Sequence, residues 1–260
     1  MITAKVKNEV RKRLEDIERD YDVTILFAVE SGSRAWGFAS PNSDYDVRFI
    51  YKHRPDWYKS LYLSEQRDVI ELKTVDDFDL SGWDVRKALM LFGSSNPSLI
   101  EWIQSPIQYV DDGYFKEECI ALLPAVYSAV SGCHHYRNMA HANLRNYLKQ
   151  DQVRLKKYLY VMRALLARRY IVKNMQPPPL PIKDLFYLLN ETPVVKEELI
   201  KLVELKLSHD ELDTGDHIVA LDEFIEQEIF KFYELQPVMK NSAMKPLLNQ
   251  LYNTIVYSNE

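Results

Sequence analysis

The chain holds only two cysteines, Cys119 and Cys133, and neither has a metal-binding spacing. Both are read as reduced, buried thiols. No apolar run approaches the ~20 residues that a membrane-spanning helix needs. The first residues, Met1 to Asp20, set Lys, Arg and Glu between Val6, Val10, Leu14 and Ile17. That spacing is an amphipathic helix and not the apolar core of a signal peptide, so a cytoplasmic protein without a membrane partner is expected. Without a secretion signal, Asn190-Glu191-Thr192 carries no glycosylation meaning. The pattern Gly-x-x-x-x-Gly-Lys-Ser/Thr is missing, as are Gly-x-Gly-x-x-Gly and Gly-x-Ser-x-Gly. Kinase-type and Rossmann nucleotide sites and the commonest hydrolase site therefore find no support. His134, His135 and His141 lack a Cys or acid at ligand spacing and read as ordinary histidines. No repeat and no Pro/Gly/Ser-rich tract marks disorder. A net charge of −5 argues against a globally basic nucleic-acid coat. The charge is uneven, however: Arg137 to Lys173 is strongly basic and Glu191 to Glu234 is acid-rich.

What the chain does have is concentrated near its start. The run Val23-Thr24-Ile25-Leu26-Phe27-Ala28-Val29 is β-branched and apolar, which predicts a buried strand. Glu30-Ser31-Gly32-Ser33-Arg34 follows, with Gly32 free to turn sharply and Ser33 adding a hydroxyl beside exposed N–H groups. Such a turn can cradle phosphate oxygens. Next comes Ser43-Asp44-Tyr45-Asp46-Val47, and on an extended strand Asp44 and Asp46 share a face. Two carboxylates so close repel unless a cation lies between them. Hard Mg²⁺ favours carboxylate and phosphate oxygens, so the pair reads as a metal platform, with Mn²⁺ as a substitute.

The rest of the chain divides near its middle. From Tyr21 to about Val110 the order is strand, turn, three strands, two helices and a short strand. The second strand is Tyr45 to Tyr51, with Arg67–Leu72 and Asp77–Leu80 as the next two, and Trp83 to Phe92 opens the first long helix. Pro97 begins another helix through Trp102. From Asp112 onward the pattern is helical: Tyr114–Val130, His134–Leu148, Val153–Val172, Lys183–Leu189, Lys196–Leu207, Ile218–Leu235 and Met244–Tyr257. Gln176-Pro177-Pro178-Pro179-Leu180-Pro181 interrupts it as a rigid connector. A small mixed α/β domain over residues 1–110 and an all-α domain over 111–260 are expected.

The Gly32-Ser33 turn with Ser43-Asp44-Tyr45-Asp46-Val47 resembles the signature of the DNA polymerase β-like nucleotidyltransferases. Four further words are Gly32-Ser33-Arg34-Ala35-Trp36-Gly37-Phe38, Ser81-Gly82-Trp83-Asp84-Val85-Arg86-Lys87-Ala88-Leu89, Asn96-Pro97-Ser98-Leu99-Ile100-Glu101-Trp102 and Lys157-Tyr158-Leu159-Tyr160-Val161-Met162-Arg163. They resemble a family of bacterial and phage nucleotidyltransferases, some of which are associated with RNA ligases and RNA repair. The resemblance runs through Pro181 and implies a small mixed sheet paired with a helical bundle.

It also implies a division of labour. Asp44 and Asp46 would hold metal, and a third carboxylate from a neighbouring strand would hold metal and activate the acceptor hydroxyl. Asp79 is the choice for this role; Asp77 shares its face and is the rival, while Asp84 reads as a helix cap. Glu71 suits an exposed strand position equally well. Gly32, Ser33 and Arg34 would bind the nucleotide, and Arg34 and Arg48 flank the acids as phosphate contacts or supporting salt bridges. Trp36 and Phe38 read as packing for the loop, and Trp83 and Trp102 as core. On the basic helix, Lys157, Tyr160 and Ala164 share a stripe with Arg163 beside it. Turned toward the acids, Lys157 and Arg163 would neutralise a triphosphate; turned away, they are a solvated basic face. The activity implied is transfer of a nucleoside monophosphate from an NTP to a hydroxyl, with an RNA 3′ end as preferred acceptor. The alternatives are a small molecule, a protein side chain, or a nucleotide-binding module that turns nothing over.

Overall fold

The computed structural model describes residues 2–72, 76–208, 214–235 and 244–257. Its contacts group the chain into two compact units. The first holds residues 2–32, the described residues from 44 to 126, and the last described segment; the second holds 33–43 and the described residues from 127 to 235. This membership differs from the expected division at residue 110. Residues 111–126 and the C-terminal helix pack with the sheet, and the loop after Gly32 packs with the helical unit.

The first unit is built on a five-stranded mixed sheet in the order β3-β4-β2-β1-β5. These strands are β1 Val23–Glu30, β2 Tyr45–His53, β3 Val69–Glu71, β4 Phe78–Asp84 and β5 Gln108–Asp111. β1 runs antiparallel to β2 and β5, β3 runs antiparallel to β4, and β2 and β4 are parallel. Helix α1 (Ala4–Tyr21) opens the unit, with Thr3 accepting the Val6 N–H at its N-cap. Its expected stripe is real: Val10, Leu14 and Ile17 are buried on Ile25, Val47, Phe49 and Leu80, with Val6 packed beside them. A short α2 (Gly32–Trp36) follows β1; α3 (Val85–Gly93), α4 (Pro97–Gln104) and α5 (Phe115–Val126) follow β4 and β5, and α10 (Met244–Tyr257) closes the unit.

Strand β4 is longer than predicted, and Trp83 lies in it instead of opening a helix. Parallel pairing carries the register from Tyr45↔Phe78 through Tyr51↔Asp84. Gly82 permits this, since a Cβ there would lie 2.1 Å from the Phe49 ring. The helix begins one residue after Asp84, whose carboxylate accepts the Arg86 N–H as an N-cap. Trp83 is half-buried and packs on buried Trp102, with ring centroids 4.1 Å apart.

The second unit is mainly helical: α6 (Ala129–Tyr147), α7 (Lys156–Asn174), α8 (Pro193–Ser208), α9 (Val219–Phe230) and a 3-10 helix over Ile182–Leu189. The break between α5 and α6 falls at Tyr127-Ser128, earlier than expected, because the Ser128 side chain caps α6 by accepting the Ser131 N–H. Beside its helices this unit carries a short antiparallel ribbon, in which β6 (Val153–Arg154) pairs with β7 (Thr214–Gly215). Helix α7 is the core of this unit, with Leu159, Met162, Leu165 and Leu166 fully buried. Among the described residues, no helix is long and apolar enough to cross a membrane.

Candidate active site

In the first unit the site is organised by strand register. Parallel pairing sets Asp46 on β2 directly opposite Asp79 on β4. A carboxylate pair across neighbouring strands, whose axes lie about 4.8 Å apart, demands positive charge. Arg48 supplies it. Its Nη2 donates to Asp46 Oδ1 at 3.2 Å and to Asp79 Oδ2 at 2.7 Å. Its Nη1 donates to the carbonyls of Val47 at 3.0 Å and Asp79 at 2.9 Å. Of the two roles open to Arg48, this is the supporting salt bridge.

The turn after β1 closes over the same carboxylate. The Ser31 N–H donates to the Asp46 carbonyl at 2.8 Å. Gly32 has φ +59°, and a Cβ on it would fall 2.0 Å from Asp46 Oδ2. Only glycine leaves room for that oxygen and takes this backbone geometry without strain. Asp44 precedes β2 and is exposed.

Beneath Asp46 lies Glu30, a residue the sequence reading passed over. It is fully buried, accepting the Asp46 N–H at 3.1 Å on one carboxylate oxygen and the Tyr109 hydroxyl at 2.6 Å on the other. Ser105 Oγ donates to its carbonyl at 2.6 Å. Glu30 thereby fixes the backbone that presents Asp46. The signal was a lone acid directly after an apolar strand run, easily taken for a strand end.

The remaining acids separate cleanly. Asp77 is exposed and lies before β4, with its carbonyl accepting the Tyr45 N–H at 2.7 Å. Asp84 is the cap it was expected to be; buried, it also accepts the Tyr58 hydroxyl at 2.7 Å, and burial pushes its carboxyl up to about 6. Glu71 is exposed and pairs with Arg67 at 3.2 Å. Among the described residues, no three His, Cys, Asp or Glu side chains gather closely enough to enclose a metal ion. The oxygens present are nevertheless those that a hard divalent cation prefers, and the place between Asp46 and Asp79 already holds a positive group.

The second unit carries the other predicted residues. Ser33 is buried, with its carbonyl accepting the Phe38 N–H at 3.0 Å, and an Arg34 guanidinium nitrogen donates to the Ser43 carbonyl. The words around Trp36 and Lys157 meet each other here. The Trp36 ring packs edge-on to Tyr160 at 5.2 Å and carries the Arg163 guanidinium 4.6 Å above it. The Lys157 ammonium lies 4.2 Å from the Tyr147 ring centre and 4.7 Å from that of Tyr160. Burial, then neighbouring Lys156 and Arg154, push the Lys157 ammonium below its usual range. Arg163 is 2% exposed and donates to the Leu180 carbonyl at 3.2 Å, so it braces the loop and the proline connector from inside. Phe38 is fully buried in this core. Trp36 and Phe38 therefore pack, as expected. Lys206 was missed: buried on α8, its ammonium donates to Ser40 Oγ at 2.9 Å. Leu199, Leu202, Val203 and Lys206 share one helical stripe, the signal that it points inward.

A mixed sheet with facing aspartates after a Gly-Ser turn is the arrangement that the resemblance to polymerase β-like nucleotidyltransferases implies. The family model for the RNA repair pathway DNA polymerase beta family matches residues 6–254, and the chain belongs to that family. It is 41% identical over 253 residues to the uncharacterized protein YcgL of Bacillus subtilis (strain 168), spanning 96% of each chain. Two solved structures are more distant. Spectinomycin adenyltransferase AAD(9) from Enterococcus faecialis, with ATP and spectinomycin, is 12% identical at a TM-score of 0.45, covering 96% of this chain and all of that one. A nucleotidyltransferase-like protein from Exiguobacterium sibiricum 255-15 is 11% identical at a TM-score of 0.30, covering 96% and 89%.

Proposed function

We propose that the protein transfers a nucleoside monophosphate from an NTP to the 3′ hydroxyl of an RNA end, releasing pyrophosphate with the help of Mg²⁺ or Mn²⁺. The observation that carries this reading is the pairing of Asp46 with Asp79 beside the Gly32 turn. Asp46 and Asp79 would hold the divalent cation together with the phosphate oxygens of the nucleotide, with Asp44, exposed just before β2, as the further candidate ligand. When bound, such a cation neutralises phosphate oxygens and lowers the pKa of the attacking hydroxyl. Asp79 accepts the proton of the acceptor hydroxyl as its oxygen bonds to the α-phosphorus. The bond from that phosphorus to the bridging α–β oxygen breaks, and pyrophosphate leaves with the electron pair.

Gly32 leaves the open space in which the Asp46 carboxylate sits, and Glu30 holds the strand that presents it. Ser33, Arg34 and Lys157 are assigned to the phosphates. Arg163 holds Trp36 in place within the second unit. Membership of an RNA repair family and the basic composition of Arg137 to Lys173 favour an RNA acceptor.

The test is pyrophosphate release from each of the four NTPs with short RNAs, run beside aminoglycosides and whole-cell protein. Extension of RNA by one or more nucleotides is expected. Transfer only to a small molecule or protein would move the acceptor, and nucleotide binding without pyrophosphate from any acceptor would remove the enzymatic reading.

A further inference from the structure

Arg48 lies where the proposed chemistry needs a metal. One guanidinium nitrogen is shared by Asp46 and Asp79, at 3.2 and 2.7 Å, while the other is held by two backbone carbonyls. All three side chains are partly open to solvent, with Arg48 19%, Asp46 29% and Asp79 39% exposed. A cation arriving from solution can therefore reach these oxygens. A cation bound between the two carboxylates would lie beside the guanidinium, and at that distance the two positive charges repel and compete for the same pair.

We propose that Arg48 is a counter-ion latch that competes with the divalent cation for Asp46 and Asp79. In the metal-free protein it neutralises the facing carboxylates and keeps them aligned. A cation that takes Asp46 Oδ1 and Asp79 Oδ2 displaces Nη2 from the pair, while the Nη1 bonds to the Val47 and Asp79 carbonyls keep the side chain anchored nearby. The latch makes metal affinity lower than the bare carboxylates would give, so the bound cation is held weakly until a triphosphate adds its own oxygens. This inference rests on the metal-dependent reading above.

The readout is Mn²⁺ affinity of the full chain without nucleotide, measured by the electron paramagnetic resonance signal of free Mn²⁺. Arg48→Met and Arg48→Gln both remove the competing charge, and each is expected to bind Mn²⁺ about tenfold or more tightly than the native chain. Arg48→Lys, which keeps a cation, should stay nearer the native affinity. Asp46→Asn should lose the binding, which locates the site. In EDTA, Arg48→Met should melt at a lower temperature than the native chain, and Mn²⁺ should raise its melting temperature by the larger amount. Native or weaker Mn²⁺ affinity in a folded neutral variant overturns the latch and leaves the metal reading standing. If one neutral variant fails to fold, the other is read by the same criterion. No Mn²⁺ binding by any of these proteins, with or without NTP, overturns the metal reading and the latch together.

Discussion

The guanidinium of Arg163 lies 4.6 Å over the ring of Trp36, joining the loop after the Gly-Ser turn to the central helix α7. Both residues belong to the second unit, and Arg163 also holds the Leu180 carbonyl. The pair is a brace, so its members should be energetically coupled. Trp36→Leu and Arg163→Met should each destabilise, and the double variant should lose less than the sum by ~1 kcal/mol. Urea unfolding of the four proteins measures this. Additive losses would show that the stacking carries no energy.

Asp84 makes stability depend on pH in an unusual direction. Burial raises its carboxyl from an ordinary 3.8 to about 6. Between these values the folded protein keeps a proton that the unfolded chain gives up, so this group lowers stability as pH rises through that window. Asp84→Asn keeps a capping oxygen and lacks the charge. Relative to the native chain it should gain up to ~3 kcal/mol between pH 4 and pH 7. Denaturant unfolding at both pH values decides it, and a pH-independent difference would contradict the burial argument.

Gly32→Ala should be damaging out of proportion to its size. The new methyl would meet the Asp46 carboxylate at 2.0 Å in a backbone conformation with φ +59°. A cost of ~1–3 kcal/mol in stability is expected, with loss of most transfer activity as Asp46 is pushed aside. Native turnover in this variant would show that the turn does not position Asp46.

The two candidates for third carboxylate are separated by register. Asp79 faces Asp46, and Asp77 lies outside the strand. Asp79→Asn should lose on the order of 10³-fold in rate, whereas Asp77→Asn should be nearly silent. Pyrophosphate release by both variants distinguishes them, and the reverse ranking would move the third carboxylate to residue 77.

Much of the first unit was legible because its signals are local. The apolar run of β1, the α1 stripe and the Asp44–Asp46 spacing each lie within one element. Asp79 was chosen through the family resemblance, but the register that sets it opposite Asp46 was not legible, since parallel pairing depends on residues 33 positions apart and on how Gly82 packs beneath Phe49. Trp83 was placed at the start of a helix, yet sheet pairing carries the strand through it. Glu30 drew no role from the sequence, and only the fold shows Tyr109 and the Asp46 amide converging on it. Arg163 was read as a phosphate-neutralising or solvated cation beside the Lys157 stripe, because helical spacing cannot reveal that a guanidinium is buried against a tryptophan.

The central claim is that Asp46 carries catalysis by holding the activating cation. Pyrophosphate release from NTP and RNA by the native chain and by Asp46→Asn, with folding checked by circular dichroism, tests it most directly. The variant should stay folded and lose on the order of 10³-fold or more in rate, several kcal/mol of barrier. A folded Asp46→Asn protein that still transfers nucleotide at the native rate would contradict the account.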